Sequence, residues 1–211
     1  MWVLGPAAVA TVLRGHESLS PTELVRAANI AQANKRHEFI AGRRALRWLL
    51  AQQRGDESSH IEFDRVTGPL QPVGRYRDLT CSVAHRHGRI ALAISAAGSI
   101  GIDMEHVLAR LAGALCSNLL HGVPIDVAQI EPVQLFAAWC ELEALSKLQQ
   151  ANLSALLPQW RQLCQAAGLP AVMPAERYIT GLRFSHWDPY PAWRLVLASN
   201  DPVSINIRVD A

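Results

Sequence analysis

The chain is 211 residues long, half of them hydrophobic, with 20 Lys and Arg against 18 Asp and Glu for a formal charge of +2. That composition describes a folded globular protein with chain enough for one large or two small domains, and it excludes a disordered segment. A charge this small gives no electrostatic footprint for nucleic acid, and no apolar run reaches the length of a membrane span. In chain order, Met1-Leu4 reads as a strand. Met1 to Val12 is apolar but lacks a basic start and contains Gly5-Pro6, so no signal peptide is expected. Ser20-Pro21-Thr22-Glu23 is a helix-start signal, with proline in the first turn and an acid soon after. Helical periodicity then runs from Pro21 to about Gln53, with a break expected near Ala33-Asn34. Phe39, Leu46 and Leu50 mark its apolar stripe, and Lys35, Arg36, Arg43, Arg44 and Arg47 form a basic surface. Such a surface is either a solvated helix face or a clamp for phosphates.

Gln53 to Ser59 reads as a polar linker, followed by a short strand at His60-Phe63 and a turn-rich stretch from Thr67 to Arg77. Leu79 to His85 and Arg89 to Ser95 are strand-like runs around Arg86-His87-Gly88, which predicts a hairpin with His85 and Arg86 at its tip. Ser99 to Glu105 is a third strand, so three consecutive strands are expected to bring His85 within reach of its acids. A helical segment is expected at Val107-Leu120, and Pro132 opens a clear helix through Lys147. A further helix covers Leu153-Ala167. Strands at Tyr178-Ser185, Ala192-Ser199 and Val203-Val209 close the chain. Four cysteines, at positions 81, 116, 140 and 164, form no CxxC pair. They suggest neither a zinc site nor a disulfide framework, and reduced thiols in the cytoplasm are the economical reading.

Three groups of residues carry chemistry. Asp103 and Glu105 lie two apart on a strand and therefore share a face. Either they are solvated at a strand end, or a hard divalent cation such as Mg²⁺ relieves their repulsion. Glu143 and Lys147, four apart on a helix, form a surface ion pair or supply a third carboxylate with a lysine beside a phosphate. His85 is incidental to its hairpin or a phosphate donor.

In order and spacing these stretches resemble one family, the 4′-phosphopantetheinyl transferases of the larger, surfactin-synthetase type. The resemblance rests on the helix with Phe39, Gly42-Arg43-Arg44 and Leu49-Leu50, and on the hairpin Ser82-Val83-Ala84-His85 that ends in Ala93-Ile94-Ser95. Gly101-Ile102-Asp103-Met104-Glu105 looks like the family's G-(I/V)-D-x-E motif. Trp139-Cys140-Glu141-Leu142-Glu143-Ala144-Leu145-Ser146-Lys147 looks like W-(S/T)-x-K-E-(A/S)-x-x-K. The separation from Asp103 to Glu143, 40 residues, also suits the family. The chain departs from the pattern at Leu142, where the family has Lys, and at Ala84 and Arg86, which replace the serines around the histidine. The aromatic-x-x-Glu element between the acidic motifs has no counterpart, and Leu119-Leu120-His121 stands near its place.

The resemblance implies an α+β fold: a pseudo-twofold pair of similar subdomains, residues 1–100 and 101–211, each a small antiparallel sheet packed with helices. Coenzyme A would lie in the cleft between them. The implied activity is that of a holo-[acyl-carrier-protein] synthase, transferring the phosphopantetheine arm of coenzyme A to a serine of an apo acyl- or peptidyl-carrier protein with release of 3′,5′-ADP. By the same resemblance Asp103, Glu105 and Glu143 would hold Mg²⁺, and Glu143 or a water it positions would be the base. Lys147, His85 and Arg86 would meet phosphate oxygens, and Arg36, Arg43 or Arg44 the 3′-phosphate. The implied enzyme is a cytoplasmic monomer with no nucleic-acid or membrane partner. The alternative is a protein of the same fold that binds coenzyme A or a carrier without efficient chemistry, with Leu142 as the sign of lost catalysis.

Overall fold

A computed structural model describes residues 1–14, 19–55, 61–63, 70–108, 110, 112–123, 126, 129–167, 176–179, 181–200 and 208–210. The architecture is α+β, with two four-stranded sheets and helices against their outer faces. The first sheet has the order β2-β3-β1-β8 and joins β1 (Trp2–Leu4), β2 (Thr80–Arg86), β3 (Arg89–Ser95) and β8 (Arg208–Asp210). The second has the order β4-β7-β6-β5 and joins β4 (Ile100–His106), β5 (Glu176–Ile179), β6 (Leu182–Trp187) and β7 (Trp193–Ser199). Their pairs are antiparallel, apart from the parallel β1 and β8. Through β8 the end of the chain returns to the sheet that its beginning founded. Six helices are described: α1 (Pro6–Leu13), α2 (Pro21–Ala28), α3 (Ala33–Arg54), α4 (Ala112–Leu119), α5 (Pro132–Gln149) and α6 (Leu153–Ala167). No helix among the described residues is long and apolar enough to cross a membrane.

Alternation along the strands sorts the core into layers. Leu4, Cys81, Ile90 and Leu92 face α3 and its buried Leu46, Leu49 and Leu50. The opposite face of that sheet offers Val3, Ala84, Ala91 and Ala93 to Ile100, Ile102, Met104, Leu195 and Leu197 of the second sheet. The small alanines let the sheets approach. Where the edge strands β2 and β4 meet, the Ile102 amide donates to Ser82 Oγ at 3.0 Å, satisfying a backbone group the ladder leaves over. On the outer face of the second sheet α5 buries ten of its eighteen residues. A helix apolar nearly all round belongs in a core.

Several expected elements are corrected. The helix break falls at residues 29–32, after α2 ends at Ala28 with Asn29 as its cap and just before Ala33-Asn34, where α3 begins. Phe63 makes only an isolated bridge with Pro72 and no strand forms at residues 61–63, while His60 lies outside the described residues. The helix expected over Val107-Leu120 begins at Ala112. Tyr178 to Ser185 is two strands of a hairpin, because Gly181, at φ 79°, reverses the chain. Of Val203-Val209 only the last two residues are described, as part of β8. β4 does not continue the β2–β3 hairpin: it leaves that sheet to pair with β7, and reaches β2 by packing instead.

Candidate functional site

Gly101, Asp103 and Glu105 share the α5 face of β4. A Cβ on Gly101 would lie 1.9 Å from the Ala144 carbonyl oxygen and 2.7 Å from the Leu148 nitrogen, so only glycine lets α5 come this close. That approach brings Lys147 Nζ to the Ile102 carbonyl at 2.7 Å and to Asp103 Oδ1 at 2.8 Å. Asp103 Oδ2 is buried and accepts no hydrogen bond. Arg86, reaching across from β2, sets its Nε 2.9 Å from Glu105 Oε2, close enough for an ion pair but without hydrogen-bond alignment. Glu143 stands one helical turn before Lys147.

Electrostatics shows how crowded the acids are. Burial pushes the Glu105 carboxyl up to about 7, and Asp103 adds to the rise against the pull of Arg86 and Lys147. Burial likewise pushes Glu143 up to about 7, again helped by Asp103 and opposed by Lys147. For Lys147, burial works against the charge, yet Asp103 and Glu143 outweigh it and hold the ammonium above the usual lysine range. Three carboxylates therefore interact in one buried neighbourhood.

His85 lies on the other face of β2, towards α3, where the missing side chain of Gly42 leaves room for Val83 and the imidazole. Its Nδ1 is 3.3 Å from Glu38 Oε2, and Lys35 sits 3.3 Å from the same oxygen. Burial lowers the His85 pKa; Glu38 opposes this, and the charges of Lys147 and Lys35 lower it further.

The structure thus pairs Lys147 with Asp103 and Arg86 with Glu105 and sets Glu143 one turn away on α5, whereas His85 lies on the α3 face of β2, paired with Glu38 rather than with these acids. Arg43 is turned elsewhere: its Nε is 3.6 Å from Glu23 Oε1, and its guanidinium lies 5.1 Å and 5.8 Å from the Phe39 and Phe63 ring centres. Burial brings its pKa down to about 10, with Glu23 opposing. Arg47 completes that cluster at 2.6 Å from Glu23 Oε2. Arg36 is half-buried and donates to the Ile30 carbonyl at 3.4 Å, and Arg44 is half-buried on α3. Leu142 is 1 % exposed in the core cluster. A lysine there would bury an ammonium among apolar side chains, so in this packing the Leu at that position removes no cation from the acids.

Sequence reasoning missed Glu38 and Lys35 as neighbours of His85; their shared face with Gly42, at positions 35, 38 and 42, was the available signal. It also missed a second buried polar set on α5. Glu141 accepts from Arg177 Nη1 at 3.2 Å and lies 2.9 Å from His186 Nε2. The four cysteines are buried as free thiols, with Cys81 and Cys164 pushed by burial up to about 12, which makes them poor nucleophiles.

Among the described residues no three of His, Cys, Asp and Glu already converge as a metal centre. The donor set nevertheless fits a hard cation: it is all carboxylate oxygen, and burial and the charge of Asp103 push Glu105 and Glu143 up to about 7, a strain that a cation among them would relieve. No family model matches the chain, and no curated protein matches it.

The shifted acids set a pH dependence. The unfolded chain ionises Glu105 and Glu143 near 4.5, the folded chain near 7, so their contribution to stability is greatest in acid and is lost as pH rises through that window. A divalent cation needs the ionised forms. If these acids hold a divalent cation, millimolar Mg²⁺ raises the melting temperature at about pH 8 and leaves it unchanged at about pH 5.5. Thermal melts with and without Mg²⁺ at both values check this, and equal shifts at the two would remove these acids from the cation's ligands.

Proposed function

We propose that the chain is a Mg²⁺-dependent 4′-phosphopantetheinyl transferase, moving the phosphopantetheine arm of coenzyme A to a carrier-protein serine and releasing 3′,5′-ADP. The observation that carries this reading is that Lys147 holds Asp103 and Arg86 faces Glu105 where β4, α5 and β2 meet, with Glu143 one helical turn from Lys147 and feeling the charge of Asp103. In this reading the two halves form a pseudo-twofold pair and coenzyme A occupies the cleft between them.

The three carboxylates would hold Mg²⁺, which supplies charge neutralisation at the pyrophosphate when bound. Lys147 is a fixed ammonium beside the acids, and Arg86 a second cation on the β2 side. His85, held largely neutral by burial, gains a proton when an anion approaches and then donates from its ring. Glu143 would take the serine proton directly or through a water it positions. Of the arginines weighed for the 3′-phosphate, Arg43 is committed to Glu23, which leaves that role to Arg36 or Arg44. The enzyme is read as a cytoplasmic monomer.

A second reading, binding of coenzyme A or a carrier without turnover, is favoured by the Lys147–Asp103 and Arg86–Glu105 pairs, which already neutralise two of the acids. Intact-mass spectrometry of apo carrier proteins incubated with the protein, coenzyme A and Mg²⁺ separates the two. The transferase adds one phosphopantetheine unit to at least one acyl- or peptidyl-carrier, and EDTA abolishes the gain. Coenzyme A binding with no gain on any carrier selects the second reading.

A further inference from the structure

The second sheet presents two parallel rows of side chains to α5. Asp103, Val196 and His186 are direct cross-strand partners on β4, β7 and β6, so all three point to the same face. Beside them Gly101, Ala198, Phe184 and Arg177 make the adjacent row, from β4 to β5. The middle of each row is apolar and its ends are polar or bare. At the β4 end, Lys147 reaches down to Asp103. At the other, two strands away at His186 and three at Arg177, or roughly 10 to 15 Å, Glu141 meets His186 at 2.9 Å and Arg177 at 3.2 Å.

Glu141 and Lys147 are six residues apart on α5, which places them roughly 240° apart around the helix. Two polar contacts on different sides of one axis fix its rotation, which apolar packing alone fixes poorly. The far contact is deeply buried, with Glu141 1 % and His186 6 % exposed. Replacing such a carboxylate by leucine would leave Arg177 and His186 without their buried anion and would remove one of the two polar contacts that orient α5.

We infer that Glu141, Arg177 and His186 are positioning residues, a buried pin that sets the rotation of α5 and thereby places Glu143 and Lys147 against Asp103. They touch none of the reacting groups. The inference rests on the transferase reading only in calling the acid cluster an active site, and its test needs neither coenzyme A, nor a cation, nor a carrier.

The chain makes that test simple, because it contains only two lysines, Lys35 and Lys147. Lys35 has a 45 % exposed side chain on α3, and Lys147 one 30 % exposed and held by two hydrogen bonds. Amine acylation with acetic anhydride, read by peptide mass spectrometry, should modify Lys147 slowly and Lys35 quickly. In folded Glu141→Gln or His186→Leu, Lys147 should become about fivefold more reactive or greater as its hold on Asp103 and the Ile102 carbonyl loosens and its amine is exposed, with Lys35 unchanged. His186→Gln, which keeps a donor for Glu141, should return Lys147 to near the wild-type rate. Should Glu141→Gln fail to fold because Arg177 loses its buried counter-charge, His186→Leu, which leaves the Glu141–Arg177 pair intact, decides the matter. Unchanged Lys147 reactivity in a folded variant overturns the inference, as does a parallel rise at both lysines, which would mean general loosening. A transferase that proves inactive while Lys147 responds as described leaves the pin standing and removes only the activity.

Discussion

Gly101→Ala is expected to cost roughly 3 kcal/mol or more of folding free energy, at the upper end of overpacking substitutions. The added methyl would sit 1.9 Å from the Ala144 carbonyl oxygen and 2.9 Å from its carbon, and both belong to helix backbone that no side-chain rotation can move. Relief requires lifting α5 from β4, which strips contacts from Leu145, Leu148 and Phe184 and draws Lys147 away from Asp103. A total stability of about 5–15 kcal/mol makes that loss a large fraction of the whole. Urea unfolding followed by circular dichroism measures it. Gly113→Ala is the control: a methyl added to this exposed glycine on α4 would meet nothing within 4 Å, and alanine there should be neutral or gain up to about 1 kcal/mol from helix propensity. Equal effects at the two positions would mean that α5 is not held against β4 through Gly101.

Local periodicity made much of this arrangement legible. Asp103 and Glu105 obey the period of a strand and Glu143 and Lys147 that of a helix, so each pair could be assigned to one face without knowing what faced it. The β2–β3 turn was equally plain, since His87 and Gly88 take positive φ angles of 47° and 74° and the latter is a glycine. What stayed hidden depends on distant partners. β4 pairs with β7, some ninety positions later, and nothing in either strand names the other. Glu141 finds Arg177 and His186 at separations of 36 and 45 residues, and a carboxylate beside Glu143 reads first as another solvated acid. Counting arginines on α3 could not say that Arg43 and Arg47 would turn to Glu23. That acid was legible as a helix-start residue, capping Ser20 at 2.9 Å, but not as the anion of a buried cluster. The Tyr178–Ser185 run shows a different failure: its Gly181 signal was present, and alternation of apolar residues on both sides of the turn masked it.

On the proposed transferase reading, Asp103→Asn is expected to reduce phosphopantetheine transfer roughly a thousandfold or more, corresponding to several kcal/mol of lost transition-state stabilisation. Asparagine preserves the shape and still offers an oxygen to Lys147, so the fold should persist with a normal circular dichroism spectrum and a cooperative melt. What disappears is one charge from the acid set. Asp103 contributes to the high pKa values of Glu105 and Glu143, so both should fall towards the ordinary carboxylate range in the variant, a change that carbon-detected NMR of the glutamate carboxyls follows directly. Lower pKa values alone would favour a cation by leaving the remaining acids ionised; a lost ligand disfavours it. If Asp103 is a ligand, the second effect wins, and the Mg²⁺-induced rise in melting temperature at about pH 8 vanishes along with transfer. If the melting response survives and transfer continues at the wild-type rate, the carboxylates are a structural cluster neutralised by Lys147 and Arg86, and the chemistry lies elsewhere. An intermediate result, with the melting response lost and transfer intact, would show that the cation binds here without taking part in the reaction.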